Sequence, residues 1–129
     1  MKDGGDGWPL AVYLSDILFQ LTGSDYAGVV SNAIATGDFF DENIVKATQI
    51  LKESADAGLF QNGYDSQDYG TAMNLCTNGQ AAMFYMGSWE TSMALNEDIP
   101  EEIRTNIRVF TMLVIEGGKG TATDIAAWK

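Results

Sequence analysis

The chain has 129 residues, 46% of them apolar, and its 7 basic and 18 acidic residues give a net charge of −11. This length suits one domain with its own core, and the apolar fraction is that of a globular protein and not of a disordered one. Because the acidic residues are spread along the chain, their field repels nucleic acid and anionic membrane surfaces, and we exclude both as partners. No apolar run approaches the roughly 20 residues of a membrane span.

Cysteine and histidine usage excludes several kinds of chemistry. The chain has one cysteine, Cys76, and no histidine. A single cysteine cannot form an internal disulfide, and the lack of histidine removes the usual zinc, copper and proton-shuttle sites. We therefore expect no cofactor and no metal site, and we interpret Cys76 as a small buried apolar residue.

The first predicted helix follows a glycine-rich segment, residues 1–7, which we expect to be flexible. Apolar residues then recur with the period of one helix face from Leu10 to Leu21. Pro9 suits the first turn, where its missing N–H needs no partner, and Gly23 suits the C-terminal cap. The sequence therefore predicts an amphipathic helix at the start of a single lobe over residues 8–129.

Two further helices are predicted in the middle of the chain. Asp41 is expected to cap an amphipathic helix that ends at Gly58. The mixed pattern before it is interpreted as a loop with one short helix. A third helix is predicted up to about Thr77, with Asp65 or Ser66 as its N-cap.

The second half of the chain is predicted to contain strands. Asn78 and Gly79 suit a left-handed helix cap, and the apolar run at residues 81–86 then predicts a strand buried on both faces. A second strand is predicted at residues 107–115, and a terminal strand after the glycine-rich turn at 117–120. Helices and short strands thus interleave, which predicts a helix-rich α/β lobe with several helices around a few short strands.

The corner at Gly87, Ser88 and Trp89 is the strongest indication of a ligand site. We expect Ser88 to cap a new helix, so that the Trp89 ring stands beside amide donors of the first turn. An aromatic face next to N–H donors suits a neutral, hydroxyl-rich ligand. Trp8 precedes Pro9, so we expect it to be extended, with its ring at the mouth of the first helix. The predicted ligand-binding residues are Trp89, Trp8, Ser88, Gly87, Tyr85 and Glu90.

The sequence contains little that supports catalysis. The carboxylate pairs Asp38–Asp41 and Asp65–Asp68 lie at predicted helix starts, where acidic residues are expected as caps and not as a glycosidase pair. No serine lies in a Gly-x-Ser-x-Gly elbow, and the glycine-rich turn at 117–120 lacks the spacing of a phosphate-binding loop. We therefore predict no catalytic residues and a protein that is not an enzyme.

The stretch Asn78–Trp89 resembles the NGxAAMxxxGxW signature of family 1 extracellular solute-binding proteins, the group that includes maltodextrin-binding protein. Other segments are similar to that family in the same order along the chain: residues 8–10, residues 40–60 with the ending Ala57-Gly58-Leu59-Phe60, and residues 107–110. The resemblance covers roughly residues 8–128.

This resemblance implies part of the second lobe of a class II periplasmic-binding-protein fold, whose two lobes close on a ligand by a hinge. It also implies the substrate-binding component of an ABC importer, which binds a carbohydrate in the cleft between lobes and delivers it to a membrane permease. The first lobe would be missing here, so we expect an exposed aromatic patch with Trp8 and Trp89 near each other.

The implied location is extracytoplasmic, periplasmic or as a surface lipoprotein, although the N-terminus has no apolar signal region. Two other functions stay open at this point. One is an acidic glycoside-processing enzyme domain, and the other is a helical interaction module without a small-molecule site.

Overall fold

The computed structural model describes residues 7–123. Of these, 58% are helical and none lies in a β-strand. The predicted α/β fold is therefore wrong for the described part of the chain, which consists of helices joined by irregular segments. The reason is that a strand needs a second strand to pair its N–H and C=O groups, and an apolar run in the sequence does not supply that partner.

Five α-helices and three 3₁₀ helices make up the described structure. The α-helices are α1 (Trp8–Thr22), α2 (Tyr26–Thr36), α3 (Glu42–Asp56), α4 (Tyr69–Thr77) and α5 (Glu101–Arg104). The 3₁₀ helices are Gly23–Asp25, Tyr64–Ser66 and Ser88–Leu95. None of the described helices is both long enough and apolar enough to cross a membrane.

The chain forms two compact units. Within the described residues, unit 1 comprises residues 7–10 and 61–110, and unit 2 comprises residues 11–60 and 111–123. The flexible segment and the single lobe predicted from the sequence stay predictions. Most of that segment and most of the predicted terminal strand lie outside the described residues.

The core of unit 2 is built on the apolar stripe of α1, as predicted. Ile17 is fully buried, and Tyr13 packs the edge of its ring against Phe60, with ring centroids 5.8 Å apart. Small residues complete this core, because Ala33 of α2 and Ala47 of α3 are almost fully buried. The predicted helix face is therefore the face that packs.

A glycine strap, residues 117–121, closes the C-terminal end of α1 within unit 2. The amides of Lys119 and Gly120 donate to the carbonyl oxygens of Leu21 and Gln20, at 3.2 and 2.9 Å. These carbonyls belong to the last turn of α1, where no intrahelical donor remains. The segment that the sequence predicts to be a simple turn is therefore also the cap of α1.

Local caps account for where α3 and α4 begin. The Asp41 carboxylate accepts a hydrogen bond from the Asn43 amide at 2.8 Å, which confirms the predicted cap of α3. The carboxylate of Asp68 accepts from the Thr71 amide at 2.7 Å and caps α4. The prediction of a cap at position 65 or 66 is wrong, because both positions lie within the 3₁₀ helix Tyr64–Ser66.

The irregular segment, residues 81–87, replaces the first predicted strand. Gly79 ends α4 with φ +71°, and the Gln80 amide donates to the Leu75 carbonyl at 2.8 Å, so the predicted left-handed cap is confirmed. The run that follows is not buried on both faces, since Met83 is 63% exposed. Residues 107–115 also form no strand, and most of their large apolar side chains are exposed.

Cys76 is less buried than predicted. It lies in α4 and is half-buried, where we expected a buried residue. Burial is still sufficient to raise the pKa of the Cys76 thiol. The thiol therefore stays protonated more readily than an ordinary cysteine, which lowers its reactivity.

Candidate functional site

Two exposed tryptophans meet in unit 1. Trp8 is the first residue of α1 and Trp89 the second residue of the 3₁₀ helix Ser88–Leu95. Their ring centroids lie 6.1 Å apart, with the ring planes inclined at 51°. Trp8 is 37% exposed and Trp89 is 56% exposed. The expected proximity of the two rings is confirmed, although Trp8 lies inside the helix and is not an extended residue before it.

Gly87 lies directly against the ring of Trp89. A Cβ atom on Gly87 would overlap carbons of the six-membered ring. The Trp89 side chain therefore folds back over the residue two positions before it, toward the start of its own helix. One side of the ring is covered by this glycine, and the aromatic pair is completed by Trp8.

The backbone at this corner differs from the prediction in one respect. A helix begins at Ser88 as expected, but it is a 3₁₀ helix. Its N-cap is Gly87, which has no side chain that could accept a hydrogen bond from the first turn. The predicted role of Ser88 as the cap is therefore wrong. The first donation within the turn is from the Glu90 amide to the Gly87 carbonyl, at 3.1 Å. The amides of Ser88 and Trp89 come before the Glu90 amide in the chain and have no partner within the helix.

The polar side chains at the corner are only partly withdrawn from water. Ser88 is exposed, and Glu90 and Tyr85 are half-buried. Burial raises the pKa of the Glu90 carboxyl above its ordinary value. A carboxylate beside an aromatic pair can accept hydrogen bonds from ligand hydroxyl groups. The ligand-binding role of all six predicted residues stays a prediction.

A second aromatic pair holds the irregular segment in unit 1. Tyr69 of α4 and Phe84 meet edge to face, with ring centroids 6.2 Å apart. Sequence reasoning did not single out Phe84, because the strand prediction gave it no partner on α4. The aromatic-rich composition of the segment was the only sequence signal for this contact.

Unit 2 contains an apolar groove of about 190 Å³. It is lined by residues of α1, α2 and α3 and of the connection before α3: Leu14, Ser15, Leu18, Val30, Ala33, Phe39, Ile44 and Ala47. Ser15 is the only polar residue among them. The sequence predicted these residues as helix faces or loop and did not predict a groove.

Among residues 7–123 there is no group of three or more histidine, cysteine, aspartate or glutamate side chains that could hold a metal ion. Comparisons of the chain with models of protein families, with curated proteins and with solved structures found no match. The signature at residues 78–89 therefore stays a resemblance.

Proposed function

We propose that the chain is a carbohydrate-binding part of the substrate-binding component of an ABC importer, with the Trp8–Trp89 pair as the surface on which a sugar stacks. The observation that supports this most directly is the meeting of two exposed indoles at a helix start whose first amides have no partner within the helix. A membrane permease as partner, a further lobe of the same protein and an extracytoplasmic location belong to the same proposal and rest on the resemblance alone.

The chemistry of the corner matches that of a sugar. A pyranose ring presents an apolar face of C–H groups and a rim of hydroxyls, and an indole face packs against the former. The amides of Ser88 and Trp89 can donate to sugar oxygens, and the Glu90 carboxylate can accept from sugar hydroxyls. A strongly anionic ligand fits this corner less well, because Glu90 lies beside it and the chain carries a net charge of −11.

Covering an exposed indole removes apolar area from water and adds a directional contact, together about 1–3 kcal/mol. Trp89→Ala should therefore weaken sugar binding roughly ten- to a hundredfold. Its effect on stability should be smaller than the about 3–5 kcal/mol of a core tryptophan, because the ring is 56% exposed.

The test uses the chain itself with a panel of neutral mono-, di- and oligosaccharides. Binding is followed by the indole N–H resonances of the tryptophans and by calorimetric titration at millimolar sugar, with thermal melts of each variant. Trp8→Ala and Trp89→Ala should lose affinity. Leu95→Ala is the matched control, because Leu95 is 82% exposed in the same 3₁₀ helix and should leave affinity unchanged.

Two outcomes would contradict the proposal. One is the absence of any sugar-induced shift of the tryptophan resonances in the wild-type chain. The other is a large loss of stability in Trp89→Ala with unchanged affinity, which would make Trp89 a structural residue.

One of the alternatives is favoured by a separate observation. The regular secondary structure of the described residues consists of helices alone, without strands. Unit 2 also has an apolar groove between its helices. Both features suit a helical interaction module without a small-molecule site. That alternative predicts no sugar binding, and it is therefore decided by the same titrations.

A further inference from the structure

Gly87 is a glycine at a position whose backbone does not require one. Its φ is −74° and its ψ is 169°, an extended conformation that any L-residue adopts. Gly37, which ends α2, differs in both respects: its φ is +71°, and a Cβ there would meet nothing within 4 Å. At Gly37 the backbone conformation favours glycine. At Gly87 a side chain is instead disfavoured by the lack of space around the Cα atom.

The space at Gly87 is taken by a rigid group. The three atoms nearest to a Cβ on Gly87 are Cε3, Cζ3 and Cη2 of Trp89, all in the six-membered ring. A planar ring cannot bend away from a methyl group as the end of a flexible side chain can. The whole indole would have to rotate about its side-chain torsions, and those same torsions set its approach to Trp8.

We propose that Gly87 is the positioning residue of the aromatic pair. Its missing side chain lets the Trp89 ring fold back onto the backbone and meet Trp8, and any side chain at this position turns the ring away. The consequence for sugar binding rests on the proposed function, whereas the consequence for the ring geometry does not.

The reason such a device matters is entropy. Trp89 is 56% exposed, and an exposed indole without neighbours samples several rotamers. Contact with the Gly87 backbone and with Trp8 limits the ring to one orientation before the ligand arrives. A binding surface that is already ordered loses less conformational freedom on binding, and its affinity is correspondingly higher.

The experiment compares Gly87→Ala with the wild-type chain and with Trp89→Ala. The readouts are the near-ultraviolet circular dichroism of the tryptophans, which depends on fixed ring packing, and the far-ultraviolet signal of the helices. Gly28→Ala is the control, because a Cβ on this α2 residue meets nothing within 4 Å and its φ is not positive. Titration with the sugars that bind the wild-type chain adds the functional readout.

We expect Gly87→Ala to lose at least half of the near-ultraviolet difference between wild type and Trp89→Ala, with the helical signal unchanged. Sugar affinity should fall roughly ten- to a hundredfold, to about that of Trp89→Ala. In the Trp89→Ala background there is no ring for the added methyl group to meet, so Gly87→Ala should have no further effect. Gly28→Ala should resemble the wild type throughout.

Two results would overturn the inference. An unchanged near-ultraviolet signal in Gly87→Ala would show that the ring orientation does not depend on this glycine. An undiminished effect of Gly87→Ala in the Trp89→Ala background would show that the substitution acts through the backbone. If the tryptophan signal changes as expected but the wild-type chain binds no sugar, Gly87 still positions the pair, and only the proposed function fails.

Discussion

At the scale of single residues, burial separates side chains that hold the fold from those that are free to bind. Ile17 of α1 is fully buried in unit 2, whereas Ile34 of α2 is 71% exposed, although both are isoleucines on helices. Removing the side chain leaves a cavity only at the buried position. The consequences of substitution should therefore differ sharply between the two.

Ile17→Ala should lower the free energy of unfolding by about 2–5 kcal/mol, the range for large-to-small substitutions in a core. Ile34→Ala, the matched control, should change it by less than about 0.5 kcal/mol. Urea unfolding followed by circular dichroism measures both. Equal effects of the two substitutions would show that Ile17 does not lie in a packed core.

The carboxyl of Glu90 makes stability depend on pH in an unusual direction for an acid. Because burial raises its pKa in the folded chain, the folded state holds this proton to a higher pH than the unfolded state does. The contribution of Glu90 to stability therefore falls as pH rises from about 4.3, the ordinary value, through the raised folded pKa.

Glu90→Gln removes this titration. The variant should melt at a higher temperature than the wild type at pH 7, and the difference should disappear below about pH 4, where the unfolded carboxyl is protonated too. A Glu90→Gln variant that is less stable at pH 7 would mean that the carboxylate is stabilised by a charged or hydrogen-bonding partner.

At the scale of elements, short-range hydrogen bonds determine where helices begin and end. Asp41 and Asp68 cap α3 and α4 with carboxylates two or three residues from the amides they accept. The end of α1 is different, since its last carbonyls accept from Lys119 and Gly120 of the glycine strap. A cap of the first kind can be predicted from adjacent residues, whereas the second kind depends on a distant segment.

Asp41→Ala should destabilise the chain by about 1 kcal/mol, within a range of about 0.5–2, because one amide of the first turn of α3 loses its acceptor. Asp41→Asn should restore most of this stability, because an asparagine side chain can accept the same hydrogen bond. Thermal melts of the two variants separate the cap from the charge. Equal losses in both would point to the charge at the helix N-terminus and not to the hydrogen bond.

At the scale of the whole molecule, a high acidic charge accompanies many exposed apolar side chains. The net charge is −11, and large apolar residues are exposed in both units, among them Phe40 at 88% and Leu95 at 82%. Mutual repulsion of the acidic chains opposes contact between such surfaces. Salt screens the repulsion and leaves the apolar attraction in place.

The chain should therefore associate more strongly as salt increases. Light scattering coupled to size-exclusion chromatography should show a higher mass at about 500 mM than at about 20 mM NaCl, because the Debye length falls from about 20 Å to about 4 Å. Phe40→Ser and Leu95→Ser should each reduce the association. A mass that falls with salt would mean that ion pairs, and not apolar surfaces, hold the associated form together.

The local structure could be predicted from particular residues. The apolar stripe from Leu10 to Leu21, the cap at Asp41 and the left-handed turn at Gly79 all appear in the structure as the sequence indicated. A helix forms hydrogen bonds between residues four apart, and its caps act within one turn, so adjacent residues contain the necessary information.

The arrangement of the candidate site was decided by tertiary structure. Trp8 and Trp89 are far apart in the sequence, and their proximity was expected only from a family resemblance. The contact of the glycine strap with the end of α1 likewise joins distant residues and has no signature in neighbouring ones.

The prediction of strands was wrong because strands, too, depend on contacts between distant segments. An apolar run such as residues 81–86 shows that a segment can be buried, but a strand also needs a partner for its backbone, and the described residues provide none. The sequence by itself determined the helices, their local caps and the acidic charge, because these depend on near neighbours or on composition. Tertiary structure alone decided whether apolar runs would pair as strands and which distant side chains would meet, because both depend on contacts between segments that the order of residues does not specify.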